Sequence, residues 1–367
     1  MTQIGIFVSC LVILATLAPF LPTGAWWIRI LEFPLIQLAS LGIAAILMLL
    51  CCSPYRASLR GKTLIVLVAL CVLYQGYTVA PYTRLFSPQS LQSQLTDAQA
   101  SLSVLIANVQ QDNRQSDRLL AIVKEASPDI LCTLETDEWW VRRLDVLRQA
   151  YPYTLSHPLD NTYGIALFSR LKLQAAQINF FVESDIPSTF ALVELRSGAL
   201  VNLYCLHPRP PVPLPETTQG DADTEERDAE LLLVAKIVQA AQEPHIVVGD
   251  LNDVAWSQTN ALFQEISGLL DPRVGRGFYN THHAKIPFLR YPVDHIFHSP
   301  SFRLIELRRL PQFGSDHFPI FAALSYEPDG AEAQQLPEPS PKEQKKAEEK
   351  IKQGKGENSS SRSREIP

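Results

Sequence analysis

The sequence lacks an excess of basic residues. Its 32 lysine and arginine residues are outnumbered by 38 aspartate and glutamate residues, which gives a formal net charge of −6 at pH 7. Proteins that bind nucleic acid through net charge present a broad positive field, and this balance excludes such a field. A polyanionic substrate would have to be held by local cations or by a metal ion.

A disulfide framework is absent as well. Four of the six cysteines lie in or beside apolar runs near the N-terminus, and the other two, Cys132 and Cys205, each lie within an apolar strand-like run. Buried free thiols behave as small apolar side chains, which is the ordinary interpretation of both. A bridge between Cys132 and Cys205 would require an oxidising compartment and a close approach that the sequence does not establish.

Two signatures of cofactor binding are also missing. The chain has no glycine-rich nucleotide-binding loop, and no cysteine and histidine spacing typical of structural zinc. The adjacent His282 and His283 do not change this, because neighbouring side chains diverge in direction. We predict a solvated turn there.

Long apolar runs are what the first part of the chain does contain. Residues 2–22, 33–52 and 63–80 are almost wholly apolar, and each is near the length that crosses a bilayer as a helix. We therefore predict about three transmembrane helices within residues 1–82. A cleaved signal peptide is disfavoured, because no basic segment precedes the first run and two more runs follow it. An uncleaved signal anchor is the alternative for the first run.

Loop charges predict the orientation of these helices. Arg56, Arg60 and Lys62 lie between the second and third runs, whereas the first loop offers only Arg29 against Glu32. The positive-inside rule places the second loop in the cytoplasm and everything after about residue 82 outside it. The prediction is a multi-pass protein of the inner (cell) membrane with an extracytoplasmic soluble domain. No obligate protein partner is inferred.

The rest of the chain is predicted to hold one globular domain. Residues 83–100 have the polar composition of a linker, and residues 101–326 show strand and helix patterns. Residues 327–367 are rich in proline, glutamate, lysine and serine, which predicts a disordered tail. Many short strands interrupted by a few helices favour an α/β fold with two packed sheets.

The most informative stretch is His245-Ile-Val-Val-Gly-Asp250-Leu-Asn252. An apolar strand ends at a glycine and is followed by a carboxylate and a carboxamide two residues apart, so Asp250 and Asn252 can face the same side. An acid that accepts a proton, beside an amide that orients water or a phosphate oxygen, forms a hydrolytic pair. The ordinary alternative is a turn, which Gly-Asp also begins.

Other predicted strands begin or end at groups of the same kind. Glu135 ends an apolar strand and suits Mg²⁺ or Mn²⁺ as a hard oxygen ligand. His207 ends a second strand and Asp294 begins a third. Asp316 and His317 follow a glycine turn, where the acid can orient the imidazole. Taken singly, each has an ordinary alternative, namely a solvated acid, a turn residue or an exposed loop histidine.

In their order, these motifs resemble the endonuclease/exonuclease/phosphatase superfamily of deoxyribonuclease I-like metal-dependent phosphohydrolases, over residues 101–326. The motifs that carry the resemblance are Ile106-Ala-Asn108, Pro128-Asp-Ile-Leu-Cys-Thr-Leu-Glu135, Gly164-Ile-Ala-Leu-Phe-Ser169-Arg170, Leu206-His207, Gly249-Asp250-Leu-Asn252, Val293-Asp294-His295 and Gly314-Ser-Asp316-His317. The run Glu135-Thr-Asp-Glu-Trp-Trp140 and the leading apolar runs are similar to a membrane-anchored bacterial branch. The resemblance implies a four-layered α/β sandwich, with the site where the strand ends of two sheets meet.

The resemblance also implies a metal site. Glu135 would be the main Mg²⁺ ligand, with Mn²⁺ as a substitute, and Asn108 and Asp316 would lie near the metal. Two positions depart from the pattern, since Leu134 stands where many members have glutamine, and Gln110 where some have aspartate. These departures alter the surroundings of the metal and remove none of its principal groups.

The catalytic roles follow from the same resemblance. Asp250 would polarise the attacking water, and Asn252 would hold that water or a phosphate oxygen. His317 would stabilise the transition state at phosphorus and His207 would contact phosphate or assist the leaving group. Asp294 would pair with one of these histidines. Arg209 and Arg170 are further candidates for contact with the substrate phosphate.

The sequence therefore predicts a membrane-anchored, divalent-metal-dependent phosphoesterase. A nucleic acid substrate is favoured by the resemblance to nucleases, but the acidic balance argues against tight duplex binding. A phospholipid or its headgroup is favoured by the apolar runs, but no apolar hairpin for dipping into lipid is recognisable within the domain. A non-catalytic binding module is disfavoured, because no acidic or histidine position of the pattern is missing.

Overall fold

The computed structural model describes residues 2–51, 53–95, 97–210 and 224–356. The chain divides into two compact units, the first comprising Met1–Ser87 with Pro211–Thr224, and the second Pro88–Pro210 with Glu225–Pro367. Residues 208–223 are rich in proline and then acidic, which predicts an exposed loop, and from residue 211 onward they lie outside the described residues.

The first unit is helical. Its helices are α1 (Thr2–Leu17), α2 (Trp26–Arg29), α3 (Leu35–Cys51), α4 (Ser53–Ala57) and α5 (Leu59–Val79). Val12 of α1 and Val68 of α5 meet in a small apolar core. The buried Gln75 amide donates to Thr16 Oγ1 at 2.7 Å. Apolar side chains on the outer faces stay exposed, as expected of helices whose surroundings are lipid.

Segments of this unit are long and apolar enough to cross a membrane. Gln3–Phe20 and Leu59–Tyr82 each meet this condition, and a third span results if Trp26–Glu32 and Leu35–Cys51, bent by 74°, act as one. Two or three candidate spans agree with membrane association. The predicted count of about three corresponds to the upper figure.

The second unit alternates strands with a few helices. The strands are β1 (Ser101–Asn108), β2 (Ile130–Leu134), β3 (Tyr153–His157), β4 (Ile165–Ser169), β5 (Lys172–Asn179), β6 (Ser188–Glu194), β7 (Leu200–Leu206), β8 (His245–Asp250), β9 (Asp294–His298), β10 (Phe302–Arg309) and β11 (Ile320–Tyr326). The helices are α6 (Ser116–Ala126), α7 (Glu138–Leu144), α8 (Glu225–Ala240), α9 (Gln258–Ser267) and α10 (Pro341–Gly354).

These strands form two sheets, in the orders β10-β11-β1-β2-β4-β3 and β5-β6-β7-β8-β9. Strand β1 runs parallel to β2 in the first sheet, and β7 runs parallel to β8 in the second. Helix α6 connects the first pair and α8 the second, as parallel neighbours require. Each pair therefore delivers two strand C-termini to the same edge of its sheet.

Three apolar cores separate four layers. The two sheets pack face to face around residues such as Ile106 and Val248, and the buried free thiols of Cys132 and Cys205 lie in this core. Helices α6 and α7 cover the outer face of the first sheet around Trp140, while α8 and α9 cover the second around Phe263. The predicted four-layered α/β sandwich is confirmed.

The segment before β1 is more than a linker. From Pro88 onward it belongs to the second unit, and the Ser93 amide donates to the Leu304 carbonyl of β10 at 2.8 Å. Gln92 also forms a parallel bridge with Leu304. The segment is polar because it covers the open edge of β10 as a single extended stretch, much of which stays exposed to solvent.

The tail is ordered through residue 356, so the prediction of disorder from residue 327 is wrong over that range. Helix α10 begins at a capping box in which Ser340 and Glu343 cap each other. Its Ala347 is buried in the core formed with α8 and α9. Lys350 of α10 forms an ion pair with Asp228 of α8. The helix buries only a narrow stripe, which is why its composition resembles that of a disordered segment. Residues 357–367 lie outside the described residues.

We expect Lys350→Met to destabilise the second unit by about 1–3 kcal/mol, because it takes one cation from a buried carboxylate. Burial raises the pKa of Asp228, but Lys350 and Arg227 outweigh burial and hold it well below its usual range. This stabilisation is present above the ordinary aspartate pKa of about 4 and is lost as the pH falls through the lower folded value. Thermal unfolding of the detergent-solubilised chain should show the deficit at pH 7 and a smaller one at pH 3.

Lys345→Met is the matched control on the same helix. The Lys345 side chain is 77% exposed and lies 3.6 Å from Glu349 in an i,i+4 pair. Pairs of this kind contribute about 0.3–0.5 kcal/mol. Equal losses of stability in the two variants would contradict a specific link between α10 and the body of the domain.

Candidate active site

The C-terminal ends of β1, β2, β7 and β8 meet at one edge of the sandwich. Asn108 closes β1, and Glu135 follows β2 in the first sheet. His207 follows β7 and Asp250 closes β8 in the second. The Asn108 amide joins the sheets, because its Nδ2 donates to Glu135 Oε1 at 2.9 Å and to Asp250 Oδ2 at 3.0 Å. The ends of four strands thus bring four of the predicted residues to one edge of the sandwich.

The backbone turns sharply after three of these strands, β1, β2 and β8. Gln110, Glu135 and Asn252 all adopt left-handed conformations, with φ of 54°, 57° and 51°. Side chains other than glycine rarely adopt this region, and such residues cluster at functional sites. Gly249 has φ of 146°, and a Cβ there would collide with the Leu206 carbonyl. Only glycine lets β8 approach β7 closely enough to present Asp250.

His317 lies between two carboxylates. Its Nδ1 donates to Asp294 Oδ2 at 2.8 Å, and its Nε2 lies 3.5 Å from Asp250 Oδ2. Burial alone would lower the pKa of His317, but Asp294 and Asp250 outweigh it and raise the pKa to about 10. The two carboxylates therefore favour the cationic form of the imidazole, with Nδ1 held by Asp294 and Nε2 facing the site.

His207 has the opposite character. Burial lowers its pKa to about 4 despite Asp250, whose Oδ2 lies 3.9 Å from Nε2. Within the described part of the chain its Nδ1 has no hydrogen-bond partner. The same holds for the buried hydroxyl of Tyr163, whose ring lies 5.5 Å from that of His207. Two buried polar atoms without partners in one place indicate room for a polar ligand. The sequence interpretation missed Tyr163, although it directly precedes the Gly164 motif.

Two buried arginines fix the loop that carries Asn252. Arg227 Nη1 donates to the Asn252 carbonyl at 2.9 Å, and its Nη2 lies 3.3 Å from Asp253 Oδ2. Arg273 donates to Nδ1 of His295 at 2.6 Å, and Nε2 of His295 donates to the Asp253 carbonyl at 2.8 Å. Neither arginine stands in a recognisable motif, so no signal in the sequence identified them. They hold the loop in the geometry that Asp250 and Asn252 require.

The prediction of a solvated turn at His282 and His283 is wrong. Both rings are partly buried, and the His282 ring lies 4.7 Å from that of His317. His282 Nε2 is 3.9 Å from Asp316 Oδ2. The backbone explains this placement, because residue 282 bridges both Tyr291 and His317. Such long-range pairing cannot be inferred from neighbouring residues alone.

Of the two predicted anion-binding arginines, one lies near the site and one does not. Arg209 lies over the Tyr163 ring at 5.4 Å but is paired with Glu183 at 2.7 Å, so its charge is already balanced. Arg170 follows β4, which runs antiparallel to β2, and so it lies at the end of the sheet opposite Glu135. There it donates to Ser127 Oγ and covers the Tyr151 ring. The assignment of Arg170 to phosphate binding is therefore wrong.

The two departures from the family pattern have structural explanations. Leu134 is buried in the core between the sheets, where an apolar side chain fits. Gln110 Oε1 accepts a hydrogen bond from the backbone N–H of Asp316 at 3.1 Å. The backbone N–H of Gln110 donates to Asn108 Oδ1 at 2.9 Å. Gln110 therefore ties together two of the predicted metal-site residues.

The donor set fits a divalent cation. Four carboxylates, those of Glu135, Asp250, Asp294 and Asp316, lie around His317. Burial raises the pKa of Glu135 to about 7 although Asn108 and His317 oppose the shift, so a cation bound there would stabilise the ionised carboxylate. Carboxylate and amide oxygens are the ligands that Mg²⁺ and Mn²⁺ prefer. Two ligand clusters occur among the described residues, namely Asp250 with Asp294 and His317, and Asp316 with His282 and His283.

Comparison with known proteins identifies a family and similar folds. The model of the endonuclease/exonuclease/phosphatase family matches residues 102–317. D. rerio TDP2 humanized by 14 mutations is similar to this chain at a TM-score of 0.50 and 17% identity, covering 62% of this chain and 99% of that one. D. rerio TDP2 complexed with a single strand DNA product is similar at a TM-score of 0.49 and 19% identity, covering 62% of this chain and 99% of that one. The human Nocturnin catalytic domain with bound sulfate is similar at a TM-score of 0.47 and 19% identity, covering 62% of this chain and 94% of that one.

Identities this low establish the fold alone. No curated protein sequence matches the chain significantly. The resemblance to a membrane-anchored bacterial branch stays a prediction.

Proposed function

We propose, because this chain belongs to the endonuclease/exonuclease/phosphatase family, that it is a membrane-anchored, divalent-metal-dependent phosphoesterase. Members of the superfamily are phosphoester hydrolases. The bond it cleaves would be that of a phosphodiester or phosphomonoester. The observation that carries the proposal is the chain of contacts from Asp294 through His317 to Asp250, and from Asp250 through Asn108 to Glu135.

The residues of this chain of contacts suit attack by water on phosphorus. Asp250 accepts a proton from the attacking water, since its carboxylate lies between His317 and the Asn108 amide. His317, kept cationic by Asp294, donates to the phosphate oxygen on which charge builds in the transition state. Asn252 holds the water or a phosphate oxygen. The neutral His207 offers an N–H donor to phosphate or to the leaving oxygen.

Glu135, Asn108 and Asp316 are the residues that would hold the metal ion. A bound Mg²⁺ or Mn²⁺ would neutralise phosphate charge and orient the phosphate for in-line displacement. Gln110 supports this role, because it contacts both Asn108 and Asp316. Two donors orient the Glu135 carboxylate, because the backbone N–H of Gln111 donates to Oε2 at 3.1 Å and Asn108 Nδ2 donates to Oε1.

We place the enzyme in the inner (cell) membrane as a multi-pass protein with its active site outside the cytoplasm. The two or three candidate spans support an anchor, and Arg56, Arg60 and Lys62 support a cytoplasmic second loop. A reporter fused after residue 326 would be active outside the cytoplasm. Activity confined to the cytoplasm would refute the orientation.

The full chain in detergent should hydrolyse bis-p-nitrophenyl phosphate when Mg²⁺ or Mn²⁺ is present. The control is the Asp250→Asn/His317→Gln double variant, purified in parallel, which should release p-nitrophenol at the rate of buffer alone. Equal rates in the two preparations would identify a contaminant and refute the proposal. A folded wild type that hydrolyses neither diesters nor monoesters with either metal would favour a non-catalytic binding module.

A further inference from the structure

An apolar hairpin adjoins the candidate active site. Its two arms pair between residues 281 and 291, where the Thr281 amide donates to the Tyr291 carbonyl at 3.0 Å and the His283 amide to the Leu289 carbonyl at 2.9 Å. Its tip exposes Ile286, Phe288 and Leu289, whose exposed fractions are 40%, 82% and 47%. The expectation that the domain has no apolar hairpin is therefore wrong. The sequence conceals it because the segment Ile286-Pro-Phe-Leu289 is short and has no strand period.

Basic side chains surround this tip. Lys285 and Arg290 flank the tip directly in the sequence. Arg309 lies beside Arg290, because both guanidinium groups contact the Phe318 ring, at 4.4 Å and 5.1 Å from its centre, respectively. Their hydrogen bonds go to neutral oxygens, namely Gln110 Oε1 and the carbonyls of Ala284 and Asn280. Among the described residues, none of these three cations forms an ion pair with a carboxylate. Their charge is available to an external anion.

The hairpin is continuous with the catalytic residues. The ring of His282 at its base lies 4.7 Å from that of His317, and Phe318, whose ring contacts both arginines, directly follows His317. Lys285 binds Gln110 Oε1 at 3.0 Å, the same oxygen that receives the Asp316 amide. A surface that binds the tip would therefore lie next to the phosphate position. This distinguishes the hairpin from an apolar patch elsewhere on the domain.

We propose that the hairpin is a lipid-surface contact, and that the substrate is a phosphoester amphiphile presented by an anionic lipid layer. The inference rests on the proposed phosphoesterase function. Exposed apolar residues flanked by unpaired cations combine the two attractions of an interfacial anchor, burial among acyl chains and contact with anionic headgroups. The candidate membrane spans carry the catalytic unit on the same chain, so a lipid surface is always within reach.

Nucleic acid fits this surface less well. Strand-binding surfaces combine a long basic groove with several aromatic side chains on which bases stack. Here one exposed aromatic residue, Phe288, stands between two aliphatic ones, and the cations form a compact cluster. The net charge of −6 adds no further attraction. A soluble nucleic acid substrate is the competing outcome of the test.

A matched pair of substrates tests the proposal with the full chain in mixed micelles. Hexadecyl p-nitrophenyl phosphate is lipid-borne and methyl p-nitrophenyl phosphate is water-soluble, and both release p-nitrophenol from the same phosphodiester. We expect the Phe288→Ser/Leu289→Ser variant to lose at least fivefold in kcat/KM on the hexadecyl substrate, through a higher interfacial KM. On the methyl substrate it should stay within twofold of the wild type. Wild-type activity on the hexadecyl substrate should rise when phosphatidylglycerol replaces phosphatidylcholine, and Arg290→Gln/Arg309→Gln should abolish that rise.

Leu200→Ser is the matched control. Leu200 is 38% exposed and begins β7, at the end of the sheet opposite His207, so it should leave both rates unchanged. Equal effects of the control and the hairpin variant, or equal losses on the two substrates, would overturn the proposal. So would a hairpin variant that loses activity on single-stranded DNA but not on the amphiphile. Wild-type hydrolysis of the methyl substrate without preference for the hexadecyl one would refute this inference alone, whereas hydrolysis of neither substrate, nor of the monoester p-nitrophenyl phosphate, would refute the proposed function as well.

Discussion

Asp250→Asn should lower kcat on bis-p-nitrophenyl phosphate by about 10³–10⁴-fold, the upper part of the range for loss of a positioned general base. The substitution preserves size, and its amide oxygen can still accept from Asn108 Nδ2, which lies 3.0 Å from the present carboxylate. What it removes is the negative charge that accepts a proton from water and faces His317 at 3.5 Å. We expect KM to change little, because the lost interaction acts in the transition state.

Controls separate this loss from a folding defect. Asp329→Asn replaces an exposed aspartate of the short helical segment after β11 and should leave kcat unchanged. Circular dichroism and thermal unfolding of Asp250→Asn should match those of the wild type within a few degrees. A well-folded Asp250→Asn variant that retains a tenth or more of the wild-type kcat would show that Asp250 is not the base.

The sequence is a good guide to elements with a clear period. The spacing of Leu119, Ile122 and Val123 predicts a helix over Ser116–Ala126, and helix α6 occupies that range. The apolar pattern of Phe302–Arg309 predicts a strand, and β10 occupies that range. Strand β3 was not predicted, because as an edge strand it is only partly buried and shows no apolar run. Helix α9 was missed because its inner face includes Asn260 and Gln264, which mask the apolar period.

The site could be predicted most directly where a strand leads into it. Asn108, Glu135, His207 and Asp250 each stand at the end of a strand, and the resemblance to a family supplied the rule that these ends converge. The contact between Asn108 and Asp250 spans 142 residues of sequence, so local pattern alone gives no reason to bring them together. Asn252, Asp316 and His317 lie on irregular segments and were predicted from the motifs that contain them, whereas Tyr163 and His282 carried no such signal.

His282 and Arg170 show the two ways in which local reasoning fails. The direction of β4 determines where Arg170 lies, because a strand that runs antiparallel to β2 ends at the opposite edge of the sheet from Glu135. Long-range backbone pairing determines where His282 lies, because its backbone forms a bridge with His317 and its ring lies beside that of His317. Both outcomes depend on tertiary structure, which a motif and its spacing do not encode.

Glu135→Gln should weaken metal binding by about 10–100-fold, since altering even an outer-shell partner of a metal ligand has effects of this size. Glutamine keeps the shape of the side chain and can still accept from Asn108 and Gln111. It removes the charge that makes the carboxylate a strong ligand for Mg²⁺ or Mn²⁺. Titration calorimetry with Mn²⁺ and the Mg²⁺ concentration for half-maximal activity should both report the change, while excess EDTA should abolish wild-type turnover.

The pH dependence of binding supplies a second test of the same residue. Because burial raises the metal-free pKa of Glu135 to about 7, a proton competes with the metal below that pH, and binding there should release a proton. Wild-type affinity should therefore fall as the pH is lowered from 7 to 5.5, whereas Glu135→Gln, which has no carboxyl group at this position, should show a shallower fall. Glu135→Asp restores the charge and should recover part of the affinity. Activity that survives both EDTA and Glu135→Gln would refute the metal-dependent mechanism, because the site would then act with its protein groups alone.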